Sequence, residues 1–118
     1  METKQVIVLR KDLNMRKGKM IAQGAHACLG ACKKAKTVDP EALALWEKDG
    51  QTKIVVGVDS EQELLDIYVN AAGLGIPAAI ITDAGRTEFN GVPTKTAVAI
   101  GPAEVSKIDQ ITRNLSLL

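Results

Sequence analysis

Lys19, Gln23 and His26 interrupt a run of small and apolar residues, GKMIAQGAHACLGACKKA, from Gly18 to Ala35. At about 100° per residue they share a narrow strip of a helix with Gly30 and Lys33, while alanines, cysteines, Met20, Ile21 and Leu29 fill the rest. The pattern predicts a helix buried almost all round with one polar strip, on which Gly30 keeps the surface open as a groove needs. A lone histidine is most often held by a backbone carbonyl. Gln23 one turn and Lys19 about two turns before it add a chemical reading beside that one: an ammonium for negative charge, an amide that donates and accepts, and an imidazole that can take or give a proton. Lys19 also falls in the first helical turn, where a cation opposes the helix dipole. The amide end of the helix and its lysines together read as a phosphate or oxyanion site.

A second group lies in IITDAGRTEF, Ile80 to Phe89. Asp83 follows a buried strand, with Gly85, Arg86 and Thr87 in the turn, and open α/β sheets bind ligands beyond such strand ends. Asp-Ala-Gly is also what a plain turn with an Asx hydrogen bond looks like. Arg86 suits a carboxylate or an outward phosphate. Further on, Thr94 and Thr96 alternate with Lys95 and Ala97, which sets both hydroxyls on one strand face.

The elements that must hold these residues are legible. QVIVL from Gln5, KIVVGV from Lys53, AAIIT from Ala78 and TKTAVAI from Thr94 are strand-like runs, apolar on both faces as in a sheet covered on both sides. Asp39 before Pro40 caps a helix that stops at Gly50, and Ser60 with Glu63 forms a capping box for a helix ending at Gly73. A last helix runs from Ala103 to Arg113. The order strand, helix, helix, strand, helix, strand, strand, helix predicts a single α/β domain over residues 1–118, a three-layer α/β/α sandwich. The turn in GRTEFNGVP joins the last two strands as a hairpin, so the four-stranded sheet is mixed.

At 118 residues with 46% hydrophobic and 25% charged residues, the chain is long and apolar enough for one core. Aromatics are 3%, which argues against RNA recognition by stacked aromatic platforms. Net charge is only +1, but the first 36 residues carry Lys4, Arg10, Lys11, Arg16, Lys17, Lys19, Lys33, Lys34 and Lys36 against Glu2 and Asp12. That basic third suits a polyanion held through phosphates. Neither a membrane span nor a secretory leader is expected, so a cytoplasmic location is. Cys28 and Cys32 have no zinc-spaced partners and read as small buried hydrophobes.

The combination of LRKDLNMRKGKMIAQGAHACLGA, WEKDGQTKIVVGVDSEQEL, ITDAGRTEF, TAVAIGP and ITRNLSLL closely resembles the archaeal and eukaryotic type of peptidyl-tRNA hydrolase, in order and over nearly the whole chain. The resemblance implies an α/β/α domain, often a homodimer, that hydrolyses the ester between a peptide and the terminal ribose of tRNA without metal or other cofactor. It assigns Lys19 and Gln23 to the family's GK-x-x-A-Q positions, His26 to the following H-A pair, and Asp83 and Thr87 to the D-A-G-R-T turn. Thr96 takes the family threonine through its spacing to Gly101-Pro102, although a segment about one residue longer than usual leaves Thr94 as the alternative. Lys11, Arg16, Lys17, Lys33 and Arg86 are the expected phosphate contacts to the tRNA. Two other readings use the same residues: a non-catalytic RNA-binding adaptor on this fold, and a small-molecule hydrolase or nucleotide-binding regulator. The adaptor needs no Lys19, Gln23, Asp83 and Thr87 together, and no Walker-type or G-x-G-x-x-G loop follows a strand.

Overall fold

The β-prone runs form strands and the capped segments form helices in the expected order, in a computed structural model that describes residues 1–85 and 89–118. Strand β1 (Thr3–Arg10) leads to helices α1 (Lys17–Val38) and α2 (Pro40–Lys48), then β2 (Lys53–Val58), α3 (Glu61–Gly73), β3 (Ala78–Asp83), β4 (Thr94–Glu104) and α4 (Val105–Thr112). Both N-caps form, although the Glu63 carboxylate accepts from the Asp59 amide rather than closing the box on Ser60. Asp39 accepts from the Ala42 amide at 3.1 Å, and Ser60 accepts from the Glu63 amide at 3.1 Å. The last helix begins at Val105 because β4 continues through Glu104, pairing Lys4 with Ala103 and Thr3 with Glu104.

The sheet order is β2-β1-β4-β3, with β1 and β2 parallel and β4 antiparallel to both β1 and β3. The sheet is therefore mixed. Strands β1, β2 and β3 all point the same way, and their carboxyl ends meet the start of β4 at one edge of the sandwich. One sheet face packs Val6, Val8, Val98 and Ile100 against Leu64 and Ile67 of α3 and Ile108 of α4. The other packs Ile7, Leu9, Ala97 and Ala99 against Ala27 and Ala31 of α1. Ala35 extends that side to Leu43 and Trp46 of α2.

Small residues on α1 set how closely it lies on the sheet. A Cβ built on Gly30 falls 2.9 Å from the Ala79 Cβ, and one on Gly24 falls 3.4 Å from Ile7 Cγ2. Gly30 thus serves close helix–sheet packing and does not hold a groove open, which corrects the reading from its place on the polar strip. The helix is also not buried all round. Ile21 is 72% exposed and Leu29 63% exposed, with Ala22 and Ala25 beside them on the outer face. Alanines at 27, 31 and 35 supply the buried stripe, so hydrophobicity alone overstated how much of the helix is covered. The cysteines are half-buried where burial was expected. Burial, with the neighbouring Cys28, pushes the Cys32 thiol up to about 11, so it stays protonated at neutral pH.

A bulge breaks the β3–β4 ladder. Ile81 pairs with Ala97 but Thr82 pairs with Lys95, which leaves Thr96 as the extra residue on β4. Strict alternation would put Ala97 opposite in face to Thr96. The bulge turns both toward α1, with Ala97 in the α1-side core and Thr96 bonded to that helix.

Overpacking costs about 1–3 kcal/mol where no flexible atom can yield. Gly30→Val is expected to lower the unfolding free energy by that amount in urea titration, while Gly73→Ala, where a Cβ meets nothing within 4 Å, leaves it unchanged or higher.

Candidate active site

Helix α1 begins at Lys17 with Arg16 in the N-cap position, no side-chain cap and no acidic residue in its first turn. Its free amides and three basic side chains therefore concentrate positive potential at that end. Lys19 escapes unfavourable isolation there because its Nζ lies 2.7 Å from Asp83 Oδ1 at the end of β3. Each side chain is 16% exposed, so the pair is shielded but open to solvent at its rim.

Asp83 is fixed from its other side as well. Its Oδ2 accepts from the Gly85 amide at 2.9 Å, and Gly85 in turn accepts from the Gly91 amide at 2.8 Å, closing the neck of the β3–β4 connection. Gly85 has φ +80°, and a Cβ there would fall 2.5 Å from the Val92 carbonyl oxygen. Only glycine fits such a position. The Asx turn and the ionic role are thus two uses of one carboxylate. The hydrogen bond from Lys19 holds the Asp83 carboxyl below the usual carboxylate range; burial opposes this, and the Gly85 amide and the lysine's charge assist.

One turn along α1, Gln23 Nε2 donates to Thr96 Oγ1 at 2.8 Å, both residues buried. This bond ties α1 to β4 directly beneath the ion pair. Thr94 Oγ1 instead donates to the Val92 carbonyl at 2.8 Å, so of the two threonines it is Thr96 that joins the α1 residues. His26 is exposed, and no hydrogen bond to it occurs among the described residues. The strip therefore straddles a boundary. Gln23 and Gly30 lie toward the sheet, Lys19 lies at the rim, and His26 and Lys33 face water.

Among the expected phosphate contacts, Arg16 and Lys17 are exposed at the start of α1. Lys11 is exposed too, with its stem across Gly57 and its Nζ 3.4 Å from Asp59 Oδ1. Lys33 is exposed about 24 Å beyond Lys17 along α1, at 1.5 Å per residue. Arg86 and Thr87 lie outside the described residues. Among those described, no three His, Cys, Asp or Glu side chains gather to hold a metal ion. Sequence reasoning passed over Arg10, whose side chain reaches the Lys95 carbonyl beside Thr96; its one signal is Asp12 two residues on.

The family model described as peptidyl-tRNA hydrolase PTH2 matches residues 3–118. The chain belongs to this family. It is similar to a peptidyl-tRNA hydrolase of Methanocaldococcus jannaschii, 52% identical over 115 residues that cover 98% of this chain and 99% of that protein. Another, from Halobacterium salinarum, is 48% identical over 115 residues, covering 97% and 98%. One from Thermococcus onnurineus is 44% identical over 117 residues, covering 98% and 97%. In this PTH2 chain, then, Lys19 and Gln23 of α1 meet Asp83 at the end of β3 and Thr96 of β4.

Because Lys19 lowers the Asp83 pKa, the ion pair is intact above the usual carboxylate range and is lost as pH falls through the depressed value. In Lys19→Met the Asp83 carboxylate is expected to titrate at higher pH than in the parent protein, as read from its ¹³Cγ shift; an unmoved titration would mean that the pair does not control this carboxyl.

Proposed function

We infer that this chain hydrolyses the ester joining a peptide, or an N-blocked aminoacyl group, to tRNA, and so returns the tRNA for reuse. The observation that carries this is the Lys19–Asp83 pair at the carboxyl ends of the parallel strands, beside the basic start of α1.

The residues divide the work by position. Attack of water on the ester carbonyl forms a C–O bond and a tetrahedral oxyanion, and an ammonium at the rim is suited to meet that charge. While paired with Lys19, Asp83 is too weak a base to take the proton efficiently. As Lys19 turns to the oxyanion, Asp83 loses its stabilising partner and its basicity rises. It then orients or deprotonates the water, which Thr87 helps to hold, and the proton passes to the departing ribose oxygen. His26, on the open side of the same helix, is the alternative base. Gln23 and Thr96 spend their polar groups on each other, and we assign them to the floor that sets the height of Lys19 against the ester and ribose.

Arg16 and Lys17 beside the pair, with Lys11, Lys33 and Arg86, are proposed to hold tRNA phosphates. We further propose that the reaction is metal-free, that residues 1–118 act as a single domain in the cytoplasm, and that two copies associate. No helix among the described residues is long and apolar enough to cross a membrane.

The test is release of N-acetyl-aminoacyl groups from tRNA by the purified protein in EDTA. Turnover is expected to persist, and Lys19→Ala and Asp83→Asn are each expected to lose about 100-fold or more while remaining folded. Near-parental turnover in both variants would reject this site. Absence of turnover in the parent, with salt-sensitive tRNA binding retained, would favour the adaptor reading.

A further inference from the structure

The bulge that aims Thr96 at Gln23 has a structural cost. An extra residue interrupts the β3–β4 ladder, and a backbone carbonyl beyond the end of a ladder still needs a donor in proportion to its burial. Pairing of β1 with β4 ends at Leu9 and Ala97, while β3 continues alongside β4 to Lys95 and Thr94. On the β1 side the Lys95 carbonyl is therefore met by a side chain. Arg10 Nη1 donates to it at 3.1 Å.

Arg10 is itself held. Its Nε donates to Asp12 Oδ1 at 3.1 Å and its Nη2 to Asp12 Oδ2 at 2.7 Å, a two-pronged contact that fixes the plane of the guanidinium. The side chain is only 12% exposed. Although it belongs to the basic first third of the chain, its Nε, Nη1 and Nη2 are taken up by Asp12 and the Lys95 carbonyl. A lysine has neither the second prong nor the planar geometry needed to hold a carboxylate and a carbonyl together.

What the clamp prevents is a slip. If β4 shifted by one residue to remove the bulge, every side chain before Ala97 would change face. Thr96 would turn away from α1, and the buried Gln23 amide would lose its partner. Resting on the reading of the site given above, we propose that Arg10 is a positioning residue: braced by Asp12, it clamps the Lys95 carbonyl and so keeps the bulged register that sets Thr96 and Gln23 beneath Lys19 and Asp83. The same hydrogen bonds from Arg10 hold the Asp12 carboxyl below the usual carboxylate range, with burial opposing.

The experiment compares Arg10→Gln with the parent protein in steady-state hydrolysis of N-acetyl-aminoacyl-tRNA, in tRNA binding across a salt series, and in the ¹H–¹⁵N resonance of the Gln23 side-chain amide. Expected are a kcat lowered about tenfold or more, as displaced site geometry produces, a KM and salt slope close to the parent's, and a shifted Gln23 amide. A kcat within twofold with an unmoved amide overturns the proposal. So does a tRNA affinity that falls with the salt slope reduced by about one, the mark of a phosphate contact. Should Arg10→Gln not fold, the same readouts on Asp12→Asn decide, an unmoved amide and unchanged kcat again overturning it. Lys19→Ala runs in parallel: full activity there rejects the site itself, whereas its inactivity beside an active Arg10→Gln rejects only the clamp.

Discussion

The ion pair between Lys19 and Asp83 joins two positions that each carry an unresolved electrostatic demand. A cation in the first turn of a helix opposes the dipole by about 0.3–1 kcal/mol, and a shielded carboxylate at a strand end must find donors. Each meets the other's need at 2.7 Å, across the seam between α1 and β3. The contact holds the Asp83 carboxyl below the usual carboxylate range and fixes the Lys19 ammonium at the rim. Preorganisation of this kind is what makes a lysine useful at a developing oxyanion.

Much of the surrounding structure sets the length of that contact. Glycine at 30 and alanines at 27, 31 and 35 let α1 lie close to the sheet, and a larger residue at 30 would lift the helix from β3. The Gln23–Thr96 bond fixes the helix against β4 one turn below the pair. Gly85 holds the carboxylate from behind through its amide. The site is therefore a product of backbone approach as much as of side-chain chemistry.

Both halves of the site were legible in the sequence because residue type and helical spacing fix them locally. Lys19, Gln23 and His26 fall on one strip by periodicity, and Asp83 falls at a strand end by the length of an apolar run. The element order followed from strand-like runs and caps such as Asp39 and Ser60. Three features were not legible. Gly30 and the exposed Ile21 and Leu29 depend on which side of α1 meets the sheet, and a helix rich in small residues has too weak a hydrophobic contrast to show this. The β4 bulge is a one-residue offset between strands that no run of Thr-Lys-Thr-Ala announces. Arg10 is one cation of the basic first third in the sequence, and only the fold brings it to the Lys95 carbonyl.

The central claim is that Lys19 and Asp83 act as one unit, and residues that act as a unit are strongly non-additive in their effects on rate. The most direct measurement is kcat/KM for N-acetyl-aminoacyl-tRNA in Lys19→Met, Asp83→Asn and the double variant. The account predicts that the double variant loses about as much as the worse single one. Losses that multiply, so that the logarithms of the single effects add, would contradict it and assign the two residues independent roles.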